Sequence, residues 1–222
     1  LAMTEGYTQR PQAYGADEEE NTALYVMAGF DTDGIRGNLG LRYVATDISS
    51  SYYDLSDAGT YDATLSTDKA DYSEILPSLN VVMDLAEDVI LRTSAAQVIS
   101  RPNYSDLFAT RSLAGYTDNR PNNEVLQTGN VGLSPFKAFQ ADIGVEWYFS
   151  DDAMVSLTYY MKDVSSFIST QQKTNQQIGI DIPVYETNPD AGDSPCGAGM
   201  NDCWTVSSST NGSGGSIEGI EI

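Results

Sequence analysis

Side chains on a strand alternate between two faces, so a half-buried strand shows as a period-two pattern of apolar and polar residues. The pattern is clearest near residues 139–162. Phe139, Ala141, Ile143, Val145, Trp147 and Phe149 alternate with Gln140, Asp142, Gly144, Glu146 and Tyr148. The turn Ser150-Asp151-Asp152 follows. Then Val155, Leu157, Tyr159 and Met161 alternate with Ser156, Thr158, Tyr160 and Lys162. Each run matches the roughly 9–11 residues that a tilted strand needs to cross a bilayer, whereas soluble sandwiches favour strands of about 5–6 residues. Trp147, Tyr148 and Phe149 border the turn, where an aromatic girdle would sit. Asp142 and Glu146 then face a lumen. These features predict an all-β, antiparallel, up-and-down transmembrane β-barrel wall.

The same reading extends along the chain. Strands are expected over 22–30, 35–48, 71–85 and 89–100, with Pro77 in an outer, less regular part of the third. The hairpin at 139–162 supplies the fifth and sixth strands, and a seventh begins at Gly215. Asp33-Gly34 suits the positive φ of a tight hairpin. Residues 1–21 carry the acidic run Asp17-Glu18-Glu19-Glu20 and read as an exposed lead-in. Short turns at 31–34, 86–88 and 150–152 alternate with long polar loops at 49–70, 101–135 and 169–214. Outer-membrane barrels have this asymmetry, with short periplasmic turns and long outer loops. A soluble sandwich has no reason for it.

Composition narrows the function. The formal charge is −21 and there is no histidine. The acidic excess excludes a nucleic-acid partner, which needs a basic footprint. Without histidine there is no Ser-His-Asp or Cys-His centre, and no P-loop or GxGxxG motif occurs. The paired acids Glu87-Asp88 and Asp151-Asp152 fall in turns, which explains them. The chain is therefore read as a non-enzyme without cofactor or metal. Cys196 and Cys203 lie close together, and with no further ligands nearby a loop disulfide in an oxidising compartment is favoured over zinc and over two free thiols. No apolar run approaches the roughly 20 residues of a membrane helix, which does not exclude a barrel. The first residues show no signal peptide, and the chain ends within a strand-like SIEGIEI, so both ends look cut.

Several blocks resemble TonB-dependent outer-membrane receptors, especially the subfamily of Caulobacter and Xanthomonas type. One is LPSLNVVMDLAEDVILRTSAAQVISRPNYSDL, from Leu76 to Leu107. A second runs from Gly129 to Ile168, with Gly-Asn, Leu-x-Pro, Glu-Trp-Tyr-Phe and Tyr-x-Lys-Asp in order. GIRGNLGLRYVAT (Gly34 to Thr46) and GGSIEGIEI (Gly214 to Ile222) complete the set. The resemblance implies a bacterial outer-membrane location and active uptake. The plug domain with its TonB box and the remainder of a barrel of about 22 strands would lie elsewhere. Residues 1–222 would form part of the C-terminal half of the barrel.

The implied partners are outer-membrane lipid, TonB acting through the plug, and an oligosaccharide or siderophore ligand. A surface lipoprotein at the barrel mouth is a further candidate. Anionic ferric siderophores favour basic loops, so the acidic balance points to neutral sugars. Tyr104, Tyr116, Asn119, Arg120, Asn122, Asn123 and Trp204 lie in the outer loops and offer stacking faces and hydrogen-bonding groups. Of these, Tyr104, Tyr116, Asn119, Arg120 and Trp204 are the candidate ligand contacts. Arg101-Pro102-Asn103 is read as a structural strand end. A passive porin and a secreted, acidic, calcium-dependent β-domain acting as an adhesin are the alternative functions.

Overall fold

The structure, a computed structural model, describes residues 14–57, 59–118, 120–188 and 191–222. Seven strands form one antiparallel sheet in the order β1-β2-β3-β4-β7-β8-β11. The first four are β1 (Gly15–Thr32), β2 (Ile35–Asp57), β3 (Thr60–Ala86) and β4 (Val89–Ser100). The others are β7 (Phe136–Ser150), β8 (Ala153–Val164) and β11 (Gly215–Glu221). The three short turns fall where alternation breaks, at Asp33-Gly34, Glu87-Asp88 and Asp151-Asp152. Gly34 has φ +78°, a conformation that side chains with a Cβ rarely adopt.

Register carries the apolar pattern across the whole sheet. Phe30, Gly37, Val81, Thr93, Ile143, Tyr159 and Ile220 are successive cross-strand partners. A neighbouring row joins Ile35, Met83, Leu91, Val145 and Leu157. This face is open: Leu24 is 74% exposed, Val26 65% and Ile75 59%. Trp147 and Phe149 lie at the turn end of the face with ring centroids 5.5 Å apart. An apolar surface spanning seven strands far exceeds the patches found on soluble monomers. It is stable only where the solvent is hydrocarbon.

The opposite face is polar and cross-linked. Arg36 Nη1 lies 2.9 Å from Asp84 Oδ2, and Arg92 Nε lies 2.8 Å from Glu146 Oε1. Asn80 Nδ2 donates to Asn38 Oδ1 at 3.0 Å. Asp142 accepts a hydrogen bond from Ser94. Asp142 and Glu146 are therefore on the polar, inward side, as their positions imply.

Along the first three strands, two features differ from the sequence-based expectation. The acidic run is not an exposed lead-in. It lies within β1, where Asp17 pairs with Ser50 and Glu20 with Asp47. Alternation sends Asp17 and Glu19 to one face and Glu18 and Glu20 to the other. Residues 49–70 are not a loop. β2 and β3 run on past the apolar band to 23 and 27 residues, pairing as far as Asp57 and Thr60. Pro77 lies inside this continuous β3, and pairing with β4 ends beside it at Ser78–Ala96. Proline lacks the N–H that a further ladder bond needs.

The physical reason for the tall hairpin is burial on its inner face. Val44, Thr46, Ile48, Ser50 and Tyr52, every second residue, are all buried. Leu107 and Leu133 pack on Ile48, and Ser50 Oγ accepts the Ala109 N–H at 3.1 Å. Ser, Thr and Tyr look like loop residues by polarity, yet they fit a strand once another layer covers them.

Candidate ligand-binding site

The covering layer comes from the two remaining long connections. The first holds α1 (Tyr104–Leu107), β5 (Ser112–Ala114) and β6 (Val125–Thr128). The second holds β9 (Ile168–Gln176), α2 (Pro183–Thr187) and β10 (Trp204–Asn211). Their strands form a separate four-stranded sheet, ordered β5-β6-β10-β9, with β6 and β10 parallel. Both segments read as loops in the sequence, and both carry regular structure.

One face of this small sheet is apolar. Trp204 is fully buried among Ile180, Ile182 and Val184, with Leu55, Leu113, Tyr116 and Tyr185 packed around them. The indole Nε1 donates to the Ile180 carbonyl at 2.8 Å. Next to it, Cys196 and Cys203 form the expected disulfide, with Cα atoms 5.6 Å apart. Asp202 accepts the N–H groups of Ile178 and Gly179 at 2.9 and 2.6 Å. Disulfide and carboxylate together hold a segment with little regular structure of its own.

The other face is polar. Cross-strand pairing places Ser112, Gln127, Ser207 and Gln172 in one row. Ser112, Gln127 and Ser207 of this row border a cleft of about 480 Å³ whose further lining includes Phe108 and Thr170. The cleft's floor requires glycine: the Gly129 N–H donates to the Phe108 carbonyl at 2.8 Å, and a Cβ there would lie 2.2 Å from that oxygen. A larger depression of about 780 Å³ lies on the inner face of the wall, lined by Tyr25, Arg42, Leu76 and Arg101 among others.

Of the residues singled out from sequence, Tyr116 and Trp204 come together, but in a core rather than around a ligand site, and Tyr104 and Arg120 lie apart from them. Tyr104 is 57% exposed on α1. Tyr116 packs against the Trp204 cluster. Arg120 is exposed, and its N–H donates to Asp118 Oδ1 at 3.0 Å. Asn119 lies outside the described residues. Trp204 is enclosed by the core, so its indole has no face to offer a ligand; its role here is packing. Asn122 has φ +70° and hydrogen-bonds with the Tyr185 hydroxyl, and Asn123 donates to Asp118. These contacts tie the 116–124 turn down.

Beneath that turn Glu124 is buried, and its Oε1 has no partner among the described residues. Burial raises its carboxyl above the ordinary range, and the backbone N–H groups of Glu124, Asn122 and Asn123 offset part of the rise. Burial likewise raises the Tyr185 hydroxyl. Sequence reasoning missed Phe108, Ser112, Gln127, Thr170 and Ser207. Their signal was short-range alternation, visible in Leu126, Gln127 and Thr128 or Val206, Ser207 and Ser208, but the strands are too brief to stand out.

Residues 2–222 match the family described as TonB dependent receptor-like, beta-barrel. The chain belongs to this family. TonB-dependent receptor barrels reside in the bacterial outer membrane, which supplies the hydrocarbon that the open apolar face requires. Two solved receptors share the fold. One is a double mutant of the hemophore receptor HasR of Serratia marcescens, in complex with its hemophore HasA and heme. It is 15% identical, with a TM-score of 0.55, covering 91% of this chain and 31% of that one. The other is a mutant of the ferric enterobactin receptor PfeA of Pseudomonas aeruginosa in complex with enterobactin. It is 14% identical, with a TM-score of 0.52, covering 93% of this chain and 33% of that one. The chain thus spans about a third of the length of these receptors. No curated protein matches the sequence.

Proposed function

We propose that this chain forms part of the wall and the outer ligand-binding layer of a receptor that imports a nutrient, an oligosaccharide, across the outer membrane. Uptake is active and is energised through TonB acting on a plug in the remainder of the receptor. The bilayer-facing side is the apolar face, and the small sheet stands over the inward side, where a ligand would be held before transport.

The observation that carries the choice of a neutral ligand is the chain's acidic balance, with three basic residues near the outer layer already paired, although Arg120 and Lys173 of that layer have no ion pair among the described residues. Arg101 is held by Glu19 at 3.0 Å, Arg111 by Asp54 at 2.9 Å and Lys137 by Glu74 at 2.6 Å. Cations already paired attract an anionic iron chelate weakly, and the whole chain carries −21. A siderophore receptor is the second reading, supported by the one fold neighbour that is in complex with enterobactin. Deleting the gene in its source bacterium separates the two. Loss of growth on neutral oligosaccharides, with growth under iron limitation intact, is the expected result. The reverse pattern would overturn the sugar reading. Deletion of TonB should reproduce the phenotype.

A further inference from the structure

We infer that the row Ser112–Gln127–Ser207, walled by Phe108 and Thr170, is a subsite that grips a neutral polyhydroxylated ligand at the barrel mouth. The inference rests on the oligosaccharide reading and assigns it a place. Three observations carry it. First, the side chains of Ser112, Gln127, Thr170 and Ser207 make no hydrogen bond among the described residues, yet all border the same cleft. Elsewhere in this layer the polar side chains of Asn122, Asn123, Asn130 and Asp202 are committed to the protein itself. Second, among the described residues that line the cleft none is ionisable. That is unusual in a chain with 32 acidic residues. Third, the row is rigidly spaced. Adjacent strands are about 4.8 Å apart, so the three side chains span roughly 10 Å, and Gln172 continues the row on β9.

These properties select a chemistry. Hydroxyl and carboxamide groups both donate and accept, which matches a ligand whose hydroxyls do the same. The lack of charge gives no advantage to a phosphate, carboxylate or iron chelate. Phe108 supplies an apolar wall against which the C–H face of a ring can pack. Its main chain is fixed by the Gly129 contact, and its ring lies against Gly15, where an added Cβ would stand 3.1 Å away. The volume, about 480 Å³, is within the range of small-molecule sites. The opposite face of the same sheet is locked to the Trp204 core and the disulfide, so ligand contact needs no reordering of the platform.

The test uses the complete receptor in detergent, titrated calorimetrically with short gluco-, manno- and xylo-oligosaccharides. The wild type is expected to bind at least one of them. Gln127→Leu and Ser207→Ala are each expected to weaken that binding about tenfold, as removing one or two hydrogen bonds does. Asp193→Asn, at an exposed position outside the cleft, should leave it unchanged. Ser112→Lys, which places a bulky cation at an exposed position in the cleft, should abolish it. Unfolding profiles of all four variants identify any that fail to fold, and the Ser112 variant keeps the test open if Gln127→Leu does. Wild-type affinity in the Gln127, Ser207 and Ser112 variants would overturn the subsite while leaving oligosaccharide uptake standing. A wild-type receptor that binds none of the sugars would overturn both.

Discussion

The seven-stranded wall and the four-stranded sheet above it are both β-structure, but they are held by different means. In the wall each side chain position is decided by its neighbour across the ladder and by the solvent it meets. Ile143, for instance, stands between Thr93 and Tyr159 in an unbroken row and faces outward. Nothing at that position requires a unique partner, only an apolar group. In the small sheet the strands are 3, 4, 8 and 9 residues long, too short to persist alone. Its stability comes from one enclosed indole, a disulfide and the half-buried carboxylate of Asp202, which between them tie together residues 178 to 204. The first region tolerates substitution that keeps polarity; the second depends on a few residues.

The sharpest way to break this contrast is Trp204→Ala. Removing a fully buried indole costs about 3–5 kcal/mol, and here it also orphans the Ile180 carbonyl. Amide hydrogen exchange should accelerate across 112–128 and 169–211, while the wall segments 22–48 and 139–162 stay protected. Exchange that rises equally in both regions would show them to be one cooperative unit. The wall has a different weak point. Ile143→Arg on the bilayer-facing side should cost about 2–4 kcal/mol if the residue sits near mid-membrane, as charged substitutions do in barrels. Gln140→Arg on the inward side should cost little. Refolding titrations into lipid vesicles compare the two. Equal losses would mean that the assignment of faces is wrong.

Removing the disulfide with Cys196→Ser and Cys203→Ser ranks next. Closing so short a loop is worth about 2–3 kcal/mol in the chain-entropy account. The loss should appear only in the small sheet, as raised proteolysis between residues 178 and 203. A unchanged digestion pattern would place the stability in Trp204 and Asp202 alone.

The same division explains what the amino-acid pattern revealed. β4 lies over Val89–Ser100, where alternation put it, because a bilayer on one side and a polar interior on the other impose period two on every spanning residue. The tall part of β2 and β3 looks like a loop in the sequence because the rule changes above the membrane. There the buried face carries Thr46, Ser50 and Tyr52 beside Val44 and Ile48, and what covers them comes from residues 107–133. Trp204 reads as a ligand contact because an aromatic in a polar loop suggests a binding face. Only the long-range packing of Ile180, Ile182 and Val184 shows that it is a core. Candidate contacts chosen one by one for their chemistry therefore scattered. The uncharged cleft arises from a register that single residues do not encode.

Glu124 offers the smallest and most discriminating test of the small sheet. Its burial lifts the carboxyl's pKa in the folded state above the ordinary value of 4.5. The groups facing it are Asp118, whose charge adds to the rise, and the hydroxyl of Tyr185. A carboxyl with a raised folded pKa contributes stability that is present below its unfolded pKa and lost as pH rises through the folded one. The small sheet should therefore be more protected on the acidic side of that window than at neutral pH. Glu124→Gln keeps the shape, removes the charge and places a donor or acceptor where Oε1 lacks one. At neutral pH it should stabilise the sheet by at most about 1 kcal/mol. Near the unfolded carboxyl's pKa the variant and the wild type should converge. The quantity to measure is their difference in exchange protection over residues 112–128 as a function of pH. A variant less protected than the wild type at neutral pH, with the gap closing towards acid pH, would mean that the charged form is the one the fold prefers. The backbone N–H groups around Glu124 would then outweigh its burial.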